Sequence, residues 1–134
     1  MPTALLIDDE QPEVEALARS FRAHDWDVVT ASDGTRAVAL ARERVFDVIV
    51  SDVIMEGLVG TALLQAIRAT RGGGDAAFVF TSAMPERRVR RIIEGEYAFV
   101  AKPATFEDVM MTGALDTPAR GSRHVDIADR RASA

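Results

Sequence analysis

The sequence contains no cysteine, which excludes disulfides, thiolate metal sites and cysteine nucleophiles and makes a reducing compartment the simplest setting. It also lacks any apolar stretch near the ~20 residues that a membrane helix requires. The opening Met1-Pro2-Thr3 carries no basic segment, and the apolar run Ala4-Leu5-Leu6-Ile7 ends in two acids, so no secretory leader is expected. Internal repeats are absent. Positive charge is in deficit, with 16 Lys and Arg against 21 Asp and Glu, and the net charge of −5 argues against binding nucleic acid through its phosphates. What is present is a chain of 134 residues with 48% hydrophobic content, enough to fill one core and too short for two ordinary domains. A soluble, cytoplasmic protein with no membrane and no direct nucleic-acid contact is the expectation.

Five short apolar runs punctuate the chain: Ala4 to Ile7, Val28 to Thr30, Val48 to Val50, Ala77 to Phe80 and Phe99 to Ala101. Runs of this length suit strands buried on both faces. Helical spacing lies between them. Val14, Leu17, Ala18 and Phe21 follow Pro12 at i, i+3, i+4 and i+7, a first-turn proline and one apolar face. Ala37, Val38 and Ala41 mark a second helix, and Leu63, Leu64 and Ile67 a third, which Gly72-Gly73-Gly74 separates from the next strand as a flexible connection. Val89, Ile92 and Ile93 mark a fourth, and Thr105, three residues before Asp108, caps a fifth through Val109 and Met110.

The order βαβαβαβαβα predicts an α/β fold: an open, doubly wound, five-stranded parallel sheet with helices on both faces, since parallel strands need helical crossovers. A closed barrel would take roughly 250 residues. Apolar periodicity stops at Thr117. Residues 1–116 are therefore expected to form the domain, and residues 117–134 a flexible tail or linker rather than a basic contact arm.

In such a sheet, ligands bind beyond the carboxyl ends of the strands. The polar residues closing the apolar runs are Asp8 and Asp9, Ser51 and Asp52, Thr81 and Ser82, and Lys102. Three carboxylates crowded together repel unless a cation lies among them, and oxygen-only ligation suits a hard ion such as Mg2+. With Mg2+ and Lys102 offsetting the charge of a transferring phosphoryl group, a carboxylate oxygen can attack phosphorus. The pattern reads as phosphoryl transfer to an aspartate.

Leu6-Ile7-Asp8-Asp9-Glu10, Ser51-Asp52-Val53-Ile54-Met55, Thr81-Ser82-Ala83 and Lys102-Pro103 together resemble the receiver domain of bacterial response regulators. The spacings of 43 residues from Asp9 to Asp52, 30 from Asp52 to Ser82 and 20 from Ser82 to Lys102 make the match specific where each motif alone is weak. The resemblance implies a flavodoxin-like receiver topology in which Asp52 is the phosphoacceptor. It implies that Asp9 ligates Mg2+ directly, with Asp8 acting through water and the Ile54 backbone carbonyl as a further ligand. Ser82 and Lys102 would hold phosphoryl oxygens, Pro103 would follow a cis peptide, and Phe99 would be the switch aromatic. Ser82 and Thr81 compete for the hydroxyl role, and spacing favours Ser82. Phe99 is equally readable as core.

Three departures stand out. The family usually has Pro where this chain has Glu56, a fourth acid near the metal site, and Phe where it has Ala104. The stretch from Ser82 to Lys102 is about two residues short, so the fourth helix should be short or irregular. Arg87, Arg88, Arg90 and Arg91 read as a solvated face, and His24 and His124 as surface residues.

The resemblance implies a phosphorylation-dependent switch of a two-component phosphorelay rather than an enzyme: a phosphoprotein whose only catalysis is its own phosphotransfer and slow dephosphorylation. A sensor histidine kinase or histidine phosphotransfer protein would supply the phosphoryl group. Output would pass to a separate protein or to an output domain outside this chain, from a monomer or a phosphorylation-dependent dimer. One rival, an aspartate-nucleophile phosphatase, needs an acid where Ile54 stands. The other is an interaction module that no longer accepts phosphate.

Overall fold

The computed structural model describes residues 1–116; the expected tail, 117–134, lies outside the described residues. Five strands, β1 (Thr3–Ile7), β2 (Asp27–Ala31), β3 (Val48–Asp52), β4 (Ala77–Ser82) and β5 (Ala98–Ala101), alternate with helices α1 (Gln11–Arg22), α2 (Gly34–Glu43), α3 (Gly60–Arg68), α4 (Glu86–Ile92) and α5 (Phe106–Met111). A 3-10 turn at Ala114–Asp116 follows. The strands pair in parallel in the order β2-β1-β3-β4-β5. The predicted doubly wound sheet is therefore the observed one. Strand order reverses between β1 and β3, which places the carboxyl ends of those two strands at the crevice.

Successive side chains of a strand point to opposite faces, and here both faces are covered. Leu5, Ile7, Ile49, Phe78 and Phe80 pack with α2, α3 and α4, whereas Ala4, Leu6, Val48, Val50 and Val79 pack with α1 and α5. This double burial is why the strands read as continuous apolar runs rather than alternating ones. Each fully buried Leu or Phe removes enough surface from water to contribute ~1.5–3 kcal/mol. Val14, Leu17, Ala18 and Phe21 form the buried stripe of α1, with Pro12 in its first turn. Thr105 and Asp108 close a reciprocal capping box at the start of α5.

Two expectations need correction. Gly72-Gly73-Gly74 is not a flexible connection: a Cβ on Gly72 would collide with the carbonyl oxygens of Arg44 and Ala41, and one on Gly73 with the Ile67 side chain. The segment is a packed turn, tied by Gly72 N–H to Ala41 O at 2.8 Å and clamped by Arg68, whose Nη1 donates to the carbonyls of Gly73 (3.0 Å) and Ala76 (2.5 Å). In the fourth helix, Val89 and Ile93 are buried but Ile92 is 56% exposed. The seven-residue α4 is short, as its spacing predicts, and ends before Ile93, so the pair could not both face inward.

His24 lies at the surface as expected, yet it is engaged. Its ring stacks on Phe106 at 4.0 Å and faces the Glu107 carboxylate at 3.2 Å. Phe106 in turn meets Phe21 and Trp26 edge-on, at 5.0 and 5.9 Å, so the first turn of α5 is seated on the end of α1.

Candidate functional site

The ends of β1, β3, β4 and β5 deliver the groups of the site. Asp8 follows β1, held by Asp8 N–H to Ala31 O at 3.1 Å. One of its oxygens accepts the Glu10 N–H at 2.9 Å and the other the Lys102 ammonium at 3.1 Å. Asp9, next in the chain, is exposed. Asp52 is the last residue of β3 and is buried. Its Oδ1 accepts the Ile54 N–H at 3.3 Å and its Oδ2 lies 3.2 Å from Lys102 Nζ. Carboxylate oxygens of Asp8, Asp9 and Asp52 all lie within 4.8 Å of one another. Lys102 follows β5, fixed by its N–H to Ser82 O at 3.0 Å, and the Lys102–Pro103 peptide is cis, as the resemblance implies.

Thr81 is the register partner of Asp52, and its carbonyl accepts Val53 N–H at 3.0 Å. Ser82 is equally buried, and its Oγ accepts the Met84 N–H at 2.9 Å, shaping the turn that leaves β4. Ser51 turns its hydroxyl onto the Asp52 carbonyl at 2.9 Å. Phe99 is half-buried against the α2–α4 side of the core and pairs in register with Phe80.

Glu56 does not join the acids. Among the described residues the metal-competent cluster is Asp8, Asp9 and Asp52, while Glu56 lines a separate depression beside α2 with Asp33, Arg36 and Leu58. The loop from Asp52 to α3 carries Gly57 and Gly60 at positive φ, 85° and 59°. Glu56 therefore stands outside the three-acid cluster.

Sequence reasoning missed two residues. Glu13, in the first turn of α1, places Oε1 2.6 Å from Lys102 Nζ, the shortest of that ammonium's contacts. It was hidden because it closes no apolar run. Tyr97, just before β5, sets its ring edge-on to Phe80 at 5.0 Å, donates its hydroxyl to Ile93 O at 2.9 Å and lies under Arg90 at 4.4 Å. Arg90 also pairs with Glu86 at 2.9 Å, while Arg87, Arg88 and Arg91 are exposed as expected.

Burial pushes the Asp52 carboxyl above its ordinary range; the Lys102 ammonium opposes that rise and the Asp8 carboxylate adds to it. Burial alone would lower Lys102, but its hydrogen bonds to Glu13 and Asp8 and the charges of Asp52 and Asp8 outweigh this and hold it above its usual value. Three carboxylates, those of Glu13, Asp8 and Asp52, thus face one ammonium, with the Asp9 carboxylate clustered beside two of them. The surplus negative charge, the clustered oxygens and the absence of nitrogen or sulfur donors among the three acids fit a hard divalent cation such as Mg2+.

Residues 4–112 match the family model described as the response regulator receiver domain. The chain is 30% identical over 109 residues to the probable transcriptional regulatory protein TcrX of Mycobacterium tuberculosis, an alignment covering 81% of this chain and 47% of TcrX. The chain thus spans about half the length of that curated relative. Its fold matches the chemotaxis protein CheY4 of Vibrio cholerae with a TM-score of 0.73 and 24% identity, covering 84% of this chain and 95% of CheY4. It also matches the receiver domain of the sensor histidine kinase PA1611 of Pseudomonas aeruginosa, with a TM-score of 0.76 and 21% identity over 87% of this chain and 98% of that one. That receiver domain holds a magnesium ion coordinated in its active site cleft.

Proposed function

Because the chain belongs to the response regulator receiver domain family of two-component systems, we propose that it is a phosphorylation-dependent switch in which Asp52 accepts a phosphoryl group. The donor is a phosphohistidine on a sensor histidine kinase or a phosphotransfer protein. An Asp52 oxygen forms the new P–O bond as the P–N bond to the donor imidazole breaks, and the histidine leaves with the electron pair. Asp8, Asp9, Asp52 and the Ile54 carbonyl would hold Mg2+, which offsets the charge of the phosphoryl oxygens. Lys102 neutralises another oxygen, and Ser82 donates its hydroxyl to a third after releasing the Met84 N–H.

The observation that carries this reading is the Lys102 ammonium, 3.2 Å from the Asp52 carboxylate beside two further acids at the carboxyl edge of the sheet. The new group adds charge of about −1.5 to −2. Movement of Ser82 toward it frees the turn before α4, Phe99 turns inward, and the surface offered to an output protein or domain changes. Phosphorylation biases an equilibrium already present. Ile54 and Met84, two residues after Asp52 and Ser82, are bulky and apolar, which favours slow self-hydrolysis.

The test is intact mass after incubation with Mg2+ and a small acyl phosphate. One phosphoryl group should be gained, and none in Asp52→Asn or in the presence of a chelator. Absence of the gain in the native protein would overturn the reading.

A further inference from the structure

The three N–H donors of the Lys102 ammonium face three acids, Glu13 at 2.6 Å, Asp8 at 3.1 Å and Asp52 at 3.2 Å. A phosphoryl oxygen arriving on Asp52 takes over the one N–H that Asp52 releases as its carboxylate is esterified, and it gains a larger share of Lys102 only if a second partner also gives way. Asp8 is poorly suited to do so: it is buried, and its other oxygen is already bonded to the Glu10 N–H. A buried carboxylate that loses its cation keeps its desolvation cost. Glu13 differs. Its side chain is 50% exposed, so its carboxylate exchanges an ammonium for water at small cost. It also has room to move, because a cleft of about 420 Å³ opens beside it between Pro12, Ala16 and Leu17 of α1 and Pro103 and Ala104. Ala104 leaves that space open where a larger side chain would close it.

We propose that Glu13 is a positioning residue that parks the Lys102 ammonium in the unphosphorylated protein and yields it to the incoming phosphoryl group. The inference rests on Asp52 being the phosphoacceptor and concerns how readily the site accepts its charge. Glu13 competes with the phosphoryl oxygens for one cation, so it weakens the phosphorylated state and raises the threshold for switching.

The experiment compares the native protein with Glu13→Gln, with Glu13→Asp, whose arm is one methylene shorter and draws the carboxylate back from Lys102, and with Glu15→Gln. Glu15 is an exposed acid two residues along α1, and its variant removes the same charge away from the ammonium. Beryllofluoride affinity in Mg2+ is measured by calorimetry, and the Lys102 ammonium signal by nitrogen-15 NMR without metal. Both Glu13 variants should bind beryllofluoride about two- to fivefold more tightly, the range a half-exposed ion pair supports, and their Lys102 signal should broaden as its protons exchange faster with water. Glu15→Gln should change neither. Unchanged or weaker binding in both Glu13 variants, or an equal gain in Glu15→Gln, overturns the proposal. If no protein of the set binds beryllofluoride, the phosphoacceptor reading itself fails and the inference falls with it.

Discussion

Replacing Asp52 by Asn should stabilise the metal-free protein. Asp52 is 6% exposed, shares one ammonium with Asp8 and Glu13, and has its carboxyl raised first by burial, with Asp8 adding to the effect. The ionised group therefore costs folding free energy that the neutral amide of the same shape avoids. Lys102 keeps two carboxylates after the change, so no buried cation is stranded. A net gain of about 1 kcal/mol is expected, which raises the melting temperature of a domain of this size by about 3–6 °C.

The sign with pH follows from the raised value. Below the ordinary carboxylate range Asp52 is protonated in both folded and unfolded chains, and variant and native protein should melt alike with respect to this group. As pH rises, the unfolded chain releases its proton first. The native protein then loses stability relative to the variant until the folded carboxyl has also ionised. Mg2+ reverses the order: at a concentration 100-fold above its dissociation constant it adds about 2.7 kcal/mol to whichever protein binds it, and Asn is a weaker ligand than Asp. Circular dichroism melts with chelator at about pH 3 and about pH 7.5, and with Mg2+ at the higher value, read all three comparisons. An Asp52→Asn protein that melts at or below the native one near neutral pH without metal would refute the account of surplus charge.

Gly72→Ala should destabilise the fold by about 2 kcal/mol or more, because the added methyl meets two backbone carbonyls that cannot rotate away; urea denaturation gives the difference directly, and a change below about 0.5 kcal/mol would show that the turn relaxes. Ala104→Phe should fill the cleft between α1 and Pro103 and add about 1 kcal/mol, seen as a higher melting temperature, whereas a lower one would mean that the cleft cannot accept the ring without strain.

The acids of the crevice were legible because each is tied to a strand end. Asp8 and Asp52 terminate apolar runs whose burial on both faces leaves little freedom in register, Lys102 follows the less buried β5, and the spacing between them follows from strand and helix lengths. Glu13 was not legible, since its contact with Lys102 joins residues 89 apart and depends on how α1 lies against the segment after β5. Gly72 was misread for a related reason: a glycine triplet looks loose until the carbonyls of Ala41 and Arg44 are placed against it. Glu56, close to Asp52 in sequence, lines instead the depression beside α2 with Asp33 and Arg36. Ile92 and Ile93 are adjacent apolar residues, and the end of α4 between them decides which one is buried.

The seating of Phe106 sets how far any rearrangement at Lys102 can travel. Phe106 N–H is held by Ser20 Oγ at 3.0 Å, and its ring is wedged among Phe21, His24 and Trp26. The span from Lys102 to Thr105 is thus a short strap fastened at both ends, to Ser82 O on one side and to α1 on the other. A small shift of the ammonium is taken up within the strap, and a larger one must lever α5 about its aromatic footing. The single indole sits on that footing. Trp26 emission is therefore a gauge of whether the strap has slipped, and a phosphorylated protein whose indole spectrum is unchanged has kept its signal on the α4 side of the sheet.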